Sequence, residues 1–568
     1  MSSDNLRLFQ AVRRGDLPAV EDLLDRRPEL AGAVEAWTAE EARSARVPPA
    51  AAVPALVRAA EREDVSILRA LVARGADVDQ GRPSALWVAV AARYGEIARI
   101  LLESGADART AAAETGYAPL HVAALRGWDE LVEVLLAHGA DPGQLDAAGR
   151  TPLDRARQNG HERAARLLAA APPRARPNGA GAASPTRGTG GARRVRHRGT
   201  GPLTAVVMAH PARLEAAEAL RRRNPELDLV VVVDPRPEDR ASPLRTARVA
   251  WSAVGRNASH HLVLQDDVAL CPDFQRRVAA AIAAMPGAAL SLFTDWGSRT
   301  ASGLRLAALL GRSWAEMADP AVPTQALVLP ADVAAGYGEF AEREAGDDLM
   351  DDTVMRAYLH ARGVPALVSV PNLVEHDLAP SLLGNDARLG RRRSAWYDSG
   401  PPAPGEWARG VAAPTLLPFV RWRSGRALSD VREVAGRGEW QRIGTSRILG
   451  FRGLRPEEID GALRDAVASL DAGAEVGAAV GREPLGSLWL TAVALGVSLA
   501  GMWSQRCAAA VTIEDALAAP GAAAALSTMP WGTLRLLCRQ DVLTRYAGSL
   551  GVLVTGAVRY GFRRAGGG

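Results

Sequence analysis

Residues 260–274 read His-His-Leu-Val-Leu-Gln-Asp-Asp-Val-Ala-Leu-Cys-Pro-Asp-Phe, a short apolar run that breaks into two adjacent carboxylates, Asp266 and Asp267, before a Pro-Asp-Phe turn. Such a run predicts a buried strand with acids at its C-terminal end, which is where open α/β sheets bind their ligands. Hard oxygen donors at that place suit a divalent cation, Mn²⁺ or Mg²⁺, carrying a phosphate. The competing reading is a surface turn, which Asp often begins for the sake of its own hydrogen bonds.

The same stretch resembles the acidic metal-binding signature of GT-A-type glycosyltransferases, above all the lipopolysaccharide-type enzymes that carry a Glu-Asp-Asp strand end before a Pro-Asp-Phe turn. Gln265 stands where that signature has its first acid, which leaves open which aspartate meets the metal and which the nucleotide. The resemblance extends from Leu203 to about Gly384. It implies a nucleotide sugar as donor, an acceptor of unknown identity and a divalent cation as cofactor. His210 and Arg213, in His-Pro-Ala-Arg after the first strand, would turn toward the sugar nucleotide. Asp234, closing the second strand, would lie near the base or ribose. Arg245 would reach a phosphate or form a salt bridge. Asp266 is assigned to the nucleotide, and Asp267 and His376 to the metal.

A second acidic segment, Gly346-Asp347-Asp348-Leu349-Met350-Asp351-Asp352-Thr353-Val354-Met355, opens a helix that Gly363 and Pro365 end. Met350, Val354, Ala357 and Ala361 form its expected buried face. Acids in a first turn suit the helix dipole whether or not they do chemistry. Asp351-Asp352, with Met355 and Arg362-Gly363 after them, nevertheless resembles the Glu-Asp helix of inverting GT-A enzymes. That resemblance makes Asp352 or Asp351 the catalytic base, which takes the acceptor hydroxyl's proton on the face opposite the leaving nucleotide. Downstream, Arg388, Arg391, Arg392 and Arg393 form a basic cluster suited to covering a diphosphate.

The elements that must position these groups are short β-rich runs, 203–209, 227–233, 261–264, 288–293, 326–329 and 366–370, separated by amphipathic helical segments such as 212–223. This alternation predicts an α/β domain with a mostly parallel sheet.

The N-terminal part repeats itself. Gly75-Ala76-Asp77, Gly105-Ala106-Asp107 and Gly139-Ala140-Asp141 each close a unit of paired helices, and Thr151-Pro152-Leu153 and Ala118-Pro119-Leu120-His121 open others. The period is close to the roughly 33 residues of an ankyrin repeat, which this region resembles, with a degenerate first unit near 6–24 and an insertion near 31–54. His121 is expected to bond between loops rather than to a ligand. Ankyrin stacks offer a face to protein partners.

Residues 171–200 are rich in Pro, Gly, Ala and Arg and have no acid, which predicts a flexible linker. At 568 residues the chain exceeds one domain by the prior of roughly 100–200 residues each. The expected organisation is multidomain: an all-α ankyrin solenoid (1–170), the linker (171–200), an α/β GT-A-like nucleotide-diphospho-sugar transferase domain (201–400) and a mostly α region of unknown role (401–568).

All 68 basic residues are Arg, which excludes a Schiff-base lysine, a lysine general base and a P-loop lysine. Net charge is only +4, so nucleic acid is not an expected partner. Three scattered cysteines and a start without an apolar leader fit the cytoplasm. The uncharged span from Pro484 to Gln505 is long enough to cross a bilayer, but its small polar residues and Ala-rich surroundings favour a buried helix over membrane association. The alternative to an enzyme is a non-catalytic interaction protein, acting through its repeats beside an inactive α/β domain; Gln265 is what supports it.

Overall fold

The computed structural model describes residues 3–35, 53–81, 84–111, 116–146, 149–158, 161–171, 203–236, 242–344, 350–376, 392–402, 405–421, 425–432, 440–506 and 512–566. It divides into two compact units, Met1–Gly190 and Gly191–Gly568. The expected linker, Arg388, Arg391 and the Gly346–Leu349 segment lie outside the described residues.

Among the described residues the first unit holds five helix pairs: Ser3–Arg14 with Leu17–Arg26, Ala55–Glu61 with Val65–Ala73, Ala85–Ala91 with Gly95–Glu103, Pro119–Leu125 with Asp129–Ala137, and Pro152–Gln158 with Glu162–Ala170. Two-residue strands β1 (Val34–Glu35) and β2 (Val53–Pro54) pair across the insertion. Gly75, Gly105 and Gly139 close their helix pairs at φ +82°, +93° and +92°, a left-handed backbone that favours glycine. Ser84 and Asp64 cap their helices by accepting from the backbone N–H of Trp87 and Ile67. His121 is fully buried; its ring accepts from Ala118 N–H at 3.3 Å and meets the Arg150 carbonyl at 3.1 Å in the next repeat. It therefore stitches loops, as its position in the repeat implies.

In the second unit the strands are β3 (Leu203–Ala209), β4 (Val230–Val233), β5 (His260–Gln265), β6 (Val268–Leu270), β7 (Ala289–Ser291), β8 (Trp314–Glu316), β9 (Ala326–Pro330), β10 (Ala366–Ser369), β11 (Val374–His376) and β12 (Val411–Ala412). Eight form one sheet, β12-β8-β10-β7-β9-β5-β3-β4, and β6 pairs with β11 in a separate ribbon. The sheet is mixed: β4 with β3, β3 with β5, β7 with β10 and β8 with β12 pair parallel, whereas β9 runs against both β5 and β7, and β8 against β10. Apolar runs specify strands but not their directions, and both kinds of neighbour bury equally well inside covered layers.

The helix Asp351–Ala361 forms as expected with its face rotated: Asp351, Val354, Met355, Tyr358 and Leu359 are buried, while Met350 is 41% exposed and Ala357 and Ala361 are exposed. The bulkier stripe through Met355 and Tyr358 buries more apolar area than the alanines would.

Residue 400 is not a break in packing. β12 extends the sheet edge beside β8, and Arg277, its side chain fully buried, pairs with Asp398 and Glu406. Residues after 412 begin with an antiparallel three-stranded sheet, β13 (Leu416–Val420), β14 (Ala427–Val431) and β15 (Gln441–Gly444), before the helices. One apolar core then runs from the helix Arg299–Leu309 through Arg482–Gly501 to Ala547–Arg564. The last two touch where a Cβ on Gly496 or Gly561 would collide with the carbonyl of Val558 or Val493. Among the described residues Arg482–Gly501 is the one helix long and apolar enough to cross a membrane, and most of it is buried inside the unit. Trp489 and Trp503 pack against Tyr560 and Phe562.

Candidate functional site

Strand order decides where a cleft opens. From β3 the chain passes to β4 on one side and then to β5 on the other, so the ends of β3 and β5 diverge at a topological switch point. Met208 pairs with Gln265 in the register of these strands, which sets His210 beside the Asp266–Asp267 turn. His210 donates its backbone N–H to Asp266 Oδ2 at 3.0 Å, and its ring accepts from Ala212 N–H. Arg213 Nη1 donates to Asp266 Oδ1 at 3.2 Å and to Asp267 Oδ2 at 2.8 Å.

His376 arrives from far along the chain because β11 pairs with β6 and places it opposite Val268, one residue past Asp267. Its Nε2 lies 3.5 Å from Asp267 Oδ2, and its ring tilts against Phe293. Neighbouring Glu375 anchors this strand by accepting from the backbone N–H of His376 and from both the N–H and hydroxyl of Ser394. Four expected site residues, His210, Arg213, Asp266 and Asp267, thus meet the fifth, His376, at one sheet edge.

Burial pushes the Asp266 carboxyl above its ordinary value, helped by the charge of Asp267, while the His210 N–H and Arg213 oppose the rise. Burial works against the Arg213 cation, but its hydrogen bond and charge interaction with Asp267 win, and its pKa rises. Both partners rise because one guanidinium serves two carboxylates and leaves Asp266 undercompensated.

The second acidic pair stands on the other flank of β5. Gln265 donates its side-chain amide to Thr324 Oγ1 at 3.1 Å, and the Thr324 hydroxyl acts on Asp351, holding its pKa down. Val322 N–H donates to the Asp352 carbonyl at 3.1 Å, which ties the helix start to the same loop. Burial, then the charge of Asp352, raises Asp351 to about 6. Burial also raises Asp352, against hydrogen bonds from Thr353 and the charge of Arg392. Asp351 is buried, whereas Asp352 keeps an open side. Thr324 carries no sequence signal beyond its place before an apolar run, and its role depends on the β5–β9 pairing.

Asp234 and Arg245 do not join this group. They form a buried bidentate pair, Nε to Oδ1 at 2.7 Å and Nη2 to Oδ2 at 2.8 Å. Burial opposes ionisation of Asp234, but the hydrogen bonds from Arg245 and the Arg236 N–H hold its pKa below the ordinary value.

Among the described residues Asp267 Oδ1 is buried without a hydrogen-bond partner, beside the His376 imidazole. A carboxylate oxygen and an imidazole nitrogen fit a divalent cation of the Mn²⁺ kind. Among the described residues no group of three or more His, Cys, Asp or Glu stands close enough to hold a metal.

A family model described as ankyrin repeats (3 copies) matches residues 8–112 and again 107–178. Over 68 residues, 12% of this chain, the sequence is 50% identical to the ARF GTPase-activating protein GIT1 of Homo sapiens, covering 9% of that protein. It is 51% identical over 61 residues to the ankyrin repeat and SOCS box protein 16 of Mus musculus, covering 11% of this chain and 13% of that one. It is 39% identical over 99 residues to the BTB/POZ domain and ankyrin repeat-containing protein COCH of Pisum sativum, 17% of this chain and 20% of that one. The chain thus spans only about a tenth to a fifth of the curated relatives it matches. The first unit is an array of ankyrin repeats, a type of protein-interaction scaffold, and it precedes a second unit of mixed α/β architecture.

Proposed function

We propose that the α/β unit transfers a sugar from a nucleotide sugar to an acceptor hydroxyl, while the ankyrin array engages a protein partner. The observation that carries this reading is the convergence of Asp267, His376 and Arg213 at the β3–β5 switch point, with a buried carboxylate oxygen that has no hydrogen-bond partner among the described residues. Asp267 and His376 would hold Mn²⁺ or Mg²⁺, which when bound supplies positive charge for a leaving diphosphate. Asp266 holds the His210 turn and Arg213 in place beside it. Asp352, partly exposed and with its carboxyl pushed above its ordinary value by burial, takes the acceptor proton. Asp234 and Arg245 support the edge strand through their mutual pair rather than touching nucleotide.

The test is a screen of the full chain with Mn²⁺ for hydrolysis of nucleotide sugars and for thermal stabilisation by them, followed by calorimetry on Asp267→Asn. This substitution removes charge at nearly constant volume and is expected to abolish metal-dependent nucleoside diphosphate binding. Equal affinity in the variant returns the Asp266–Asp267 turn to an ordinary surface role.

A second reading, an inactive α/β unit beside repeats that carry the function, is favoured by Arg213 already bonding both carboxylates and by Gln265 turned onto Thr324. A chain that neither binds nor hydrolyses any nucleotide sugar supports it.

A further inference from the structure

Two loops lie between the C-terminal helices and His376. Residues 293–297 follow β7, and residues 393–396 lie downstream of β11. The loops bind each other: Ala395 N–H donates to the Thr294 carbonyl and Trp296 N–H to the Arg393 carbonyl, both at 2.8 Å, and Asp295 bridges to Ser394 in antiparallel fashion. Phe293, at the start of the first loop, sets its ring against His376. Ser394, in the second, donates its N–H at 2.8 Å and its hydroxyl at 3.0 Å to Glu375, whose Oε1 also accepts the His376 N–H at 2.8 Å. The place of His376 therefore depends on what holds the loops.

The C-terminal helices hold them. Arg535, just past the helix Met529–Leu534, donates through Nη1 to both oxygens of Asp295 at 2.9 Å, and both side chains are largely buried. Asp295 Oδ1 also accepts the Gly297 N–H at 2.9 Å, which fixes the turn. The Thr528 hydroxyl donates to the Ala395 carbonyl at 2.7 Å, and Arg305 Nη2 ties the Trp296 carbonyl to Thr528 Oγ1 by bonds of 2.8 and 3.0 Å. Trp531 stacks on Trp296 with ring centroids 6.0 Å apart. A Cβ on Gly532 would collide with the Trp296 carbonyl, and one on Gly521 would strike the Trp396 ring. Contacts this close leave no slack, so a displaced helix displaces the loops.

We propose that the C-terminal helices set the geometry of the cation site, with Arg535 as a positioning residue that acts on His376 through Asp295, Ser394 and Glu375. A charge-assisted pair suits this task because it fixes direction as well as distance. The effect on a bound cation rests on the reading of Asp267 and His376 as its ligands; the effect on the His376 ring does not. Outer partners that orient a metal-ligating imidazole typically change metal affinity by about 10- to 100-fold when removed.

The full chain carrying ¹³C-labelled histidine tests it, with the His376 ring resonance assigned by its loss in His376→Gln. In metal-free buffer at one fixed pH, Arg535→Gln and the milder Thr528→Val are each expected to shift or broaden that resonance, and Arg535→Lys to return it toward wild type. Calorimetry should show Mn²⁺ binding weakened by about tenfold in Arg535→Gln. Ser394→Ala should weaken it as well, and the double variant by less than the product of the two, because both residues act along one path. Phe562→Leu loosens the same helical core at its contact with Trp503. It should lower the unfolding midpoint while leaving the His376 resonance and Mn²⁺ affinity as in wild type. A His376 resonance unmoved in Arg535→Gln, or in Thr528→Val where the first variant does not fold, overturns the proposal. So does an equal change in Phe562→Leu, which would tie both readouts to stability alone. A chain that binds no Mn²⁺ but moves its His376 resonance in Arg535→Gln sinks the cation reading and leaves the positioning role standing.

Discussion

Arg213 Nη1 lies 2.8 Å from Asp267 Oδ2, the same carboxylate oxygen that His376 Nε2 approaches at 3.5 Å. A single oxygen is thus shared by a fixed cation and an imidazole, and Asp266 is drawn into the same guanidinium. Removing the cation leaves two largely buried carboxylates facing each other. Arg213→Gln is expected to destabilise the second unit by roughly 2–4 kcal/mol, below the figure for a fully buried pair because water still reaches the guanidinium. That corresponds to a fall of roughly 3–5 °C in the unfolding midpoint for a unit of this size. Mn²⁺ should recover part of the loss in Arg213→Gln and less of it in Arg213→Gln combined with Asp267→Asn. An unchanged midpoint would show that the contact does not contribute.

Asp351 gives a pH dependence of opposite sign to that of most carboxylates. Its pKa of about 6 in the native chain exceeds the ordinary value, so between the two the native state holds a proton that the unfolded state has released. Stability therefore falls as pH rises from about 4 to about 6, and remains lower above that window. Asp351→Asn should be more stable than wild type at pH 7, by at most about 2–3 kcal/mol, and nearly equal to it at pH 4. Denaturant midpoints at the two pH values check this. A variant less stable at pH 7 would mean that the ionised carboxylate is needed by a partner.

Within the repeats, burial lowers the pKa of His121 below its ordinary value. The unfolded chain then binds a proton that the folded one excludes, so the repeats lose stability as pH falls through about 6.5. His121→Ala should remove this dependence and cost roughly 1–3 kcal/mol, because it strips buried backbone groups at Ala118 and Arg150 of their partner. Hydrogen exchange in Pro119–Leu125 would report it, and exchange unaltered by the substitution would count against the bridging role.

The composition of residues 171–200, with seven arginines and no acid, predicts that trypsin cuts there first. Two folded fragments are expected, one carrying the repeats and one running through to the C-terminal helices. A further early cut near residue 400 would contradict the shared core that joins the sheet to those helices.

The sequence alone determined what local chemistry can determine. The Gly-Ala-Asp and Thr-Pro-Leu signals mark ankyrin units because glycine and proline constrain the backbone where they stand, and the family match over residues 8–178 agrees. The apolar run ending at Gln265 marked a strand, and the acid-led segment at Asp351 marked a helix, because each is set by near neighbours. Tertiary structure decided the rest. Asp234 and Arg245 were separately plausible as ligand contacts, and only their packing turned each toward the other. His376 reached Asp267 through a β6–β11 pairing between segments about a hundred residues apart, which no local period encodes. The direction of β9, the rotation of the Asp351–Ala361 face toward Met355 and Tyr358, and the continuity of the core past residue 400 depend likewise on which surfaces meet. Burial of apolar area has no direction of its own, so a sequence can state that a residue must be covered without stating by what.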